Sequence, residues 1–323
     1  MAILTGKMMN MQISSLPTSV HLELTNTCNL QCKFCCVGEF GKGEGQSLEW
    51  YLGQFEVYTS PELVNIRLVG AGEPTVYRRF RDLVRELIAR GFNMSLVTNG
   101  VRLLNFCEHL VNFEWICVSV HGLGPVHNQL VGANVFDRVI SGIKALQDAK
   151  PDVNMFVSCV VCSENISSML QIADFFAEQN VPLRFAPLVD NSLLSKSDKL
   201  LLREQLRLIN LYHPEVKLPP YSEEPAFEES VRAFIADDQE LARQGLDADR
   251  VVCKNIYREV KINHKGNLFF CKYRLLGNLS MNSLRHLWES EGRTKFLVEI
   301  EKHVQATGYY PQSCLKCCYL TNL

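Results

Sequence analysis

From Ser19 to Leu188 the chain alternates short β-rich apolar runs with longer amphipathic segments, and this alternation restricts its fold more than any other feature of the 323 residues. Residues 20–24, 64–69, 93–97, 115–120, 154–161 and 183–187 read as strands, and residues 48–58, 78–90, 102–112, 135–148 and 166–179 as helices. In the second helix Phe80, Leu83, Val84, Leu87 and Ile88 recur at helical spacing, with Arg and Glu on the other face. Repeated βα units imply a parallel sheet with right-handed crossovers. Six such strands fall short of the eight that close a barrel, so the expected class is α/β with an incomplete barrel, whose functional groups sit at the carboxyl ends of the strands.

Directly after the first strand, Thr25-Asn26-Thr27-Cys28-Asn29-Leu30-Gln31-Cys32-Lys33-Phe34-Cys35 places three cysteines in eight residues as Cys-x3-Cys-x2-Cys. Three thiolates can hold three irons of a 4Fe-4S cluster, whereas full protein ligation needs a fourth. The remaining iron is then open to a small molecule that binds through nitrogen and oxygen. Zinc is the competing assignment, but structural zinc closes with four Cys or His ligands, usually in paired short spacings. Cys36 follows at once, and adjacent side chains diverge, which disfavours it as the fourth ligand.

A formal net charge of −2 gives no general attraction to nucleic acid or to an anionic membrane. Hydrophobic content of 47% with 21% charged residues is that of an ordinary globular protein. Residues 1–16 hold no apolar run long enough for a signal-peptide core or a spanning helix, so a cytoplasmic location is expected. Thirteen cysteines, an odd number, argue against a disulfide framework and for a reducing compartment.

Gly70-Ala71-Gly72-Glu73-Pro74 follows the second strand, Thr98-Asn99-Gly100 closes the third and Ser119-Val120-His121-Gly122 the fourth. Each alone reads as turn chemistry. Together with the cysteine spacing and the aromatic Phe34 before the third cysteine, they resemble the radical S-adenosylmethionine (SAM) enzymes. The resemblance implies a partial (β/α)6 TIM-like barrel, with a 4Fe-4S cluster on Cys28, Cys32 and Cys35. It assigns the SAM amino group to Gly70, Ala71, Gly72, Glu73 and Pro74, and the ribose and carboxylate to Thr98, Asn99, Ser119 and His121. Two departures from the family pattern stand out. His121 replaces the Asp of Ser-x-Asp-Gly, and His127-Asn128-Gln129-Leu130-Val131 stands where relatives carry His-Asp-x-x-Arg. Ser158 on the fifth strand and Arg184 on the sixth are candidates for the SAM carboxylate, set against local hydrogen bonding or a surface pair.

A second cysteine set, Cys253, Cys271, Cys314, Cys317 and Cys318, falls in residues 253–323. Residues 257–263 and 267–271 read as a hairpin turning at His264-Lys265-Gly266. Leu284, Leu287 and Trp288 give a short apolar helix face. Two hairpin cysteines plus Cys314-x2-Cys317 make a four-thiolate site that suits zinc or an iron-sulfur cluster. The segment, with Gly277-Asn278-Leu279, resembles the truncated SPASM, or twitch, domain. That likeness implies one auxiliary cluster of the 4Fe-4S kind on Cys253, Cys271, Cys314 and Cys317, with Cys318 as an alternative to Cys317. Cys107, Cys117, Cys159 and Cys162 read as small buried hydrophobes, with a hydrogen-atom-donating thiol as the competing role.

The expected organisation is an extension over residues 1–18, the barrel over 19–189, a helical connecting insertion over 190–250 and a small α+β cysteine-rich domain over 251–323. The insertion contains helical patterns at 197–211 and 228–244 and a Pro219-Pro220 break. The resemblance implies reductive SAM cleavage to a 5'-deoxyadenosyl radical that abstracts hydrogen from an unactivated carbon. Oxidation or crosslinking of a peptide or small molecule, with the auxiliary cluster as electron acceptor, is the leading outcome. Epimerisation, or rearrangement and carbon-carbon bond formation on a sugar or nucleotide, is the alternative, and a non-catalytic iron-sulfur or zinc sensor is the reading from another class. Flavodoxin or ferredoxin is the expected electron donor.

Overall fold

The computed structural model describes residues 15–35, 43–187, 194–218, 251–252, 255–271, 274–309 and 321–322. Its strands are β1 (Ser19–Leu22), β2 (Asn65–Leu68), β3 (Asn93–Thr98), β4 (Trp115–Ser119), β5 (Met155–Val160), β6 (Leu183–Ala186), β7 (Val251–Val252), β8 (Glu259–Ile262), β9 (Asn267–Phe270), β10 (Arg274–Asn278) and β11 (Thr321–Asn322). Its helices are α1 (Leu48–Gln54), α2 (Phe80–Ala89), α3 (Cys107–Leu110), α4 (Pro125–Val131), α5 (Phe136–Ala149), α6 (Met169–Glu178), α7 (Lys196–Tyr212), α8 (Leu284–Trp288) and α9 (Glu291–Thr307). Each of the six expected strands is present to within two residues, and the βα alternation of the partial barrel holds. The helix expected over residues 102–112 is shorter, a 3-10 turn over Leu103–Asn105 followed by one turn of α3.

Two compact units divide the chain. One comprises Met1–Asn26, Lys42–Met94 and Asp238–Leu323, the other Thr27–Gly41 and Ser95–Asp237. In the first, β1 pairs in parallel with β2 on one side and with β8 on the other, and β9 and β10 continue antiparallel from β8. A hairpin read as local is thus joined to the amino-terminal strand, because an unpaired edge leaves N–H and C=O groups without partners. Val20, Leu22, Ile66, Leu68, Ile262 and Phe270 are fully buried on these strands, with Leu83, Val84 and Leu87 of α2. The hairpin turns at Gly266, whose φ of +77° favours glycine. Asn263 Oδ1 accepts from the Lys265 and Asn267 N–H groups there, both at 3.0 Å.

In the second unit β3, β4, β5 and β6 run parallel in that order. Beyond β6, Lys217 continues the pairing: Phe185 N–H donates to Lys217 O and Lys217 N–H to Leu183 O, each at 3.0 Å. Buried Val216 and Leu218 flank it, so the β6 edge is covered. α7 starts at a capping box in which the Ser195 and Asp198 side chains and backbones bond reciprocally. α4 was not signalled by periodicity. Pro125 opens it and Gly132, at φ +74°, closes it, the ordinary punctuation of a short helix. The 228–244 pattern and the Pro219-Pro220 break lie outside the described residues. Among the described residues no helix is long and apolar enough to cross a membrane.

Candidate active site

Cys28, Cys32 and Cys35 lie half-buried in the second unit, on a loop fastened by backbone bonds to the end of α4. Gln31 N–H donates to Val131 O at 3.1 Å and Lys33 N–H to Leu130 O at 2.9 Å, while Cys35 N–H closes a turn on Cys32 O at 3.1 Å. Gly132 must be glycine on two counts, since its φ is +74° and a Cβ there would meet Gln31 O at 3.1 Å. The Asn99 amide, at the end of β3, donates to Asn29 Oδ1 at 2.8 Å and lies 3.8 Å from Cys28 Sγ. Its own Oδ1 accepts from Val101 N–H at 3.1 Å, which fixes the amide's orientation.

Burial, and then the nearby Cys28 and Cys35 charges, push the Cys32 thiol up to about 12. That thiol therefore keeps its proton at neutral pH in the bare loop. A cationic iron core reverses that balance, because a bound metal deprotonates a coordinating thiol. Three thiols held on one short loop are the donor set that a cluster with three cysteine-ligated irons requires. Cys36 lies outside the described residues.

Phe34 packs its ring edge-on against His121, centroids 4.6 Å apart. His121 Nδ1 accepts from Val160 N–H at 3.1 Å, and its own backbone N–H donates to His127 Nδ1 at 3.1 Å. Both rings therefore carry their proton on Nε2 when neutral. Burial and the neighbouring His127 hold His121 down at about 3, and burial holds His127 at about 4. Asn165, fully buried, donates to His121 O at 2.9 Å and Val160 O at 2.8 Å and accepts from Cys162 N–H at 2.8 Å. It ties the end of β4 to the turn after β5.

Ser119, Ser158 and Arg184 occupy one row across β4, β5 and β6. Arg184 Nε donates to Ser158 Oγ at 3.1 Å, Nη2 lies 3.6 Å from Cys117 Sγ, and the guanidinium stacks 4.8 Å from the Phe156 ring centroid. The residues expected to bind a carboxylate are thus brought together. Buried Thr98 accepts the Gly100 N–H at 3.1 Å and shapes the turn after β3. Cys117 and Cys159 are fully buried, and burial pushes the Cys159 thiol well up, so Cys159 is a neutral packing group.

The Gly70–Pro74 stretch belongs to the first unit. A Cβ at Gly70 would fall 2.5 Å from Glu23 Cγ, so glycine is needed for this close approach, and Gly72 N–H donates to Thr25 O at 3.2 Å. Buried Glu73 accepts through Oε1 from Thr75 N–H at 3.1 Å and from Thr75 Oγ1 at 2.6 Å. It caps the 3-10 turn Pro74–Val76. In the same unit half-buried Cys271 follows β9 with φ +50°, rare for a non-glycine residue. Cys253, Cys314, Cys317 and Cys318 lie outside the described residues.

Sequence reading gave no role to Asn165, His127, Asn128 or Gly132. Asn128, in the run that departs from the family, accepts at Oδ1 from the Val135 and Phe136 N–H groups, both at 2.9 Å, and so caps α5. Asn128 gave no local signal, since it lies within α4, eight residues before α5 begins. For Asn165 there was none, because its partners come from two strands.

The model of the radical SAM superfamily matches residues 22–176, and that of the SPASM iron-sulfur cluster-binding domain matches residues 253–318. The chain is 27% identical over 326 residues to the tungsten-containing aldehyde ferredoxin oxidoreductase cofactor-modifying protein of Pyrococcus furiosus, covering 92% of this chain and 86% of that one. A probable GTP 3',8-cyclase of Saccharolobus islandicus is 34% identical over 134 residues, 40% of this chain and 43% of its own length. Among solved structures, Streptococcus suis SuiB bound to its precursor peptide SuiA superposes with a TM-score of 0.64 at 15% identity, covering 90% of this chain and 69% of that chain. The anSMEcpe protein with bound AdoMet and Cp18Cys peptide gives a TM-score of 0.60 at 16% identity, covering 93% and 85%. These two likenesses establish the fold.

Proposed function

Because this chain belongs to the radical SAM superfamily and carries an iron-sulfur SPASM domain at its carboxyl end, we propose that it oxidises or crosslinks a peptide or small-molecule substrate at an unactivated C–H bond. The cluster and SAM, when bound and reduced, supply a 5'-deoxyadenosyl radical that takes the hydrogen atom. Cys28, Cys32 and Cys35 hold that cluster and leave one iron for SAM. The observation that carries the reading is the fastening of this three-thiol loop to α4 and Asn99, which fixes the donors before any metal arrives.

Arg184, oriented by Ser158, neutralises the SAM carboxylate in place of the arginine that relatives carry after the fourth strand, and Ser119 shares its row. Phe34 and the neutral His121 form a dry wall beside the cysteine loop. Excluding water there protects a reactive carbon from quenching. The SPASM match supports oxidation, since an auxiliary cluster can take the electron left on the substrate once its proton departs. SuiB with the precursor peptide SuiA and anSMEcpe with the Cp18Cys peptide share this fold, which supports a peptide substrate. The partial match to GTP 3',8-cyclases favours a second reading, rearrangement of a nucleotide.

Anaerobic reconstitution followed by dithionite and SAM tests the core of this reading. The parent protein should release 5'-deoxyadenosine and hold about eight iron, and Cys32→Ala should release none and hold about four. Absence of 5'-deoxyadenosine, with equal iron in both proteins, would overturn it. Deuterium transfer from labelled substrate into 5'-deoxyadenosine identifies the carbon attacked.

A further inference from the structure

The side chain of Asn99, just past β3, is held from three sides. Its Oδ1 accepts from Val101 N–H at 3.1 Å, and because a backbone N–H can only donate, this contact settles which end of the amide is oxygen. Nδ2 then carries two hydrogens and meets two acceptors. One is Asn29 Oδ1 at 2.8 Å, and the other is Cys28 Sγ at 3.8 Å. Sulfur is larger than oxygen, so an N–H···S bond is correspondingly longer. Both amide hydrogens are taken within the cysteine loop, which leaves none for the SAM carboxylate.

The turn that carries this amide is rigid. Thr98 Oγ1 accepts the Gly100 N–H at 3.1 Å. Gly100 has φ +77°, and a Cβ there would fall 2.8 Å from both Val118 Cγ1 and Val139 Cγ1, so no other residue fits. A thiol bound to iron is deprotonated, and a hydrogen bond to a ligating sulfur draws charge from it. Such bonds are one determinant of a cluster's reduction potential, because they favour the reduced, more negative state.

Resting on the reading that Cys28, Cys32 and Cys35 hold the SAM-binding cluster, we propose that Asn99 hydrogen-bonds the Cys28 thiolate, raises the reduction potential of that cluster and is not a ligand of SAM. It is a positioning residue. The family resemblance assigns Asn99 to SAM, whereas its two hydrogens point to the loop that bears the thiols. A higher potential eases the one-electron reduction with which SAM cleavage begins.

The test uses full-length reconstituted protein and anaerobic redox titration followed by electron paramagnetic resonance, reading the component of the reduced spectrum that added SAM perturbs. Asn99→Ser keeps an oxygen for Val101 N–H, since Ser and Asn serve the same turns, but is too short to reach Cys28 Sγ. Its midpoint should move to more negative potential, roughly tenfold against reduction or about 59 mV for one electron. The dissociation constant for SAM should stay near that of the parent. Asn99→Asp keeps the acceptor, loses both donors and adds a negative charge, so its midpoint should fall further. Asn29→Ala removes the other partner of the amide and should leave the midpoint in place. An unmoved midpoint in the iron-loaded Asn99 variants overturns the inference, and weaker SAM binding beside it would return Asn99 to SAM. Loss of iron from both Asn99 variants, or an equal fall in Asn29→Ala, also overturns it, because either marks a purely structural tie. A parent protein whose reduced signal SAM leaves unchanged overturns the inference together with the reading on which it rests.

Discussion

The Cys28–Cys35 loop and the segment around Cys271 both carry thiols just beyond a strand, yet neutral groups surround the first and a buried guanidinium faces Phe270, the residue before the second. Around the loop, the amides of Asn99 and Asn165 and the uncharged rings of His121 and His127 satisfy backbone and side-chain groups without adding charge. Beside Cys271, the Arg293 guanidinium rests on Trp288 and Phe270. Neutral packing fixes geometry and adds no charge of its own. A buried cation, by contrast, must be offset by the groups packed on it. The two regions therefore meet the cost of burial differently, one with uncharged partners and the other with two carbonyls and two ring faces around a guanidinium.

Four experiments would break or sharpen this contrast. Asn165→Ala strips four hydrogen bonds, one of them a long one to Cys159 Sγ, from a fully buried site and should cost about 3 kcal/mol of stability in denaturant unfolding. Asn278→Ala, which removes half-exposed turn bonds to Lys265 O and Asn267 Oδ1, should cost about 1 kcal/mol. Equal losses would mean that the loop region has no special dependence on neutral buried amides. Next in size is Arg184→Met. Losing a charge-assisted contact worth about 1.5–3 kcal/mol should raise the KM for SAM ten- to hundredfold. An unchanged KM would remove Arg184 from the SAM site.

Acid should act on the loop region through its histidines. His121 and His127 bind a proton far more weakly folded, at about 3 and about 4, than their ordinary value of 6.5. Their contribution is complete above about pH 6.5 and is lost as the pH falls toward the folded values, by about 1 kcal/mol per pH unit for each ring. Tm should therefore fall between pH 7.5 and 5.5, and a flat profile would show that these rings are protonated without penalty. The smallest effect belongs to Lys33→Ala. Its pair with Glu164, 3.6 Å apart and about half exposed, should contribute under about 0.5 kcal/mol. A larger loss of stability or of iron would show that the loop depends on charge after all.

Periodicity located all six barrel strands, the hairpin at Gly266 and the helix carrying Leu284, Leu287 and Trp288, because burial of one face leaves a local pattern of apolar residues. It did not reveal β10, which is two-fifths glycine and asparagine with exposed Arg274 and Leu275. Nor did it reveal α9, of which Arg293, Leu297 and Ile300 alone are buried. At the site, the three cysteines were legible because one loop carries them all. The row of Ser119, Ser158 and Arg184 was legible only as separate candidates, since their common line depends on strand register.

The sequence by itself determined the βα order, the three-thiol loop and the glycines after β2, because spacing within a few residues fixes those features. Only the tertiary structure decided that β8 pairs with β1, that Asn165 joins two strand ends and that Arg293 is buried with no ion pair among the described residues. Each depends on groups far apart in sequence meeting in space. Whether such a meeting leaves a polar group satisfied or a charge unpaired is an energy of the packed interior, which no local spacing records.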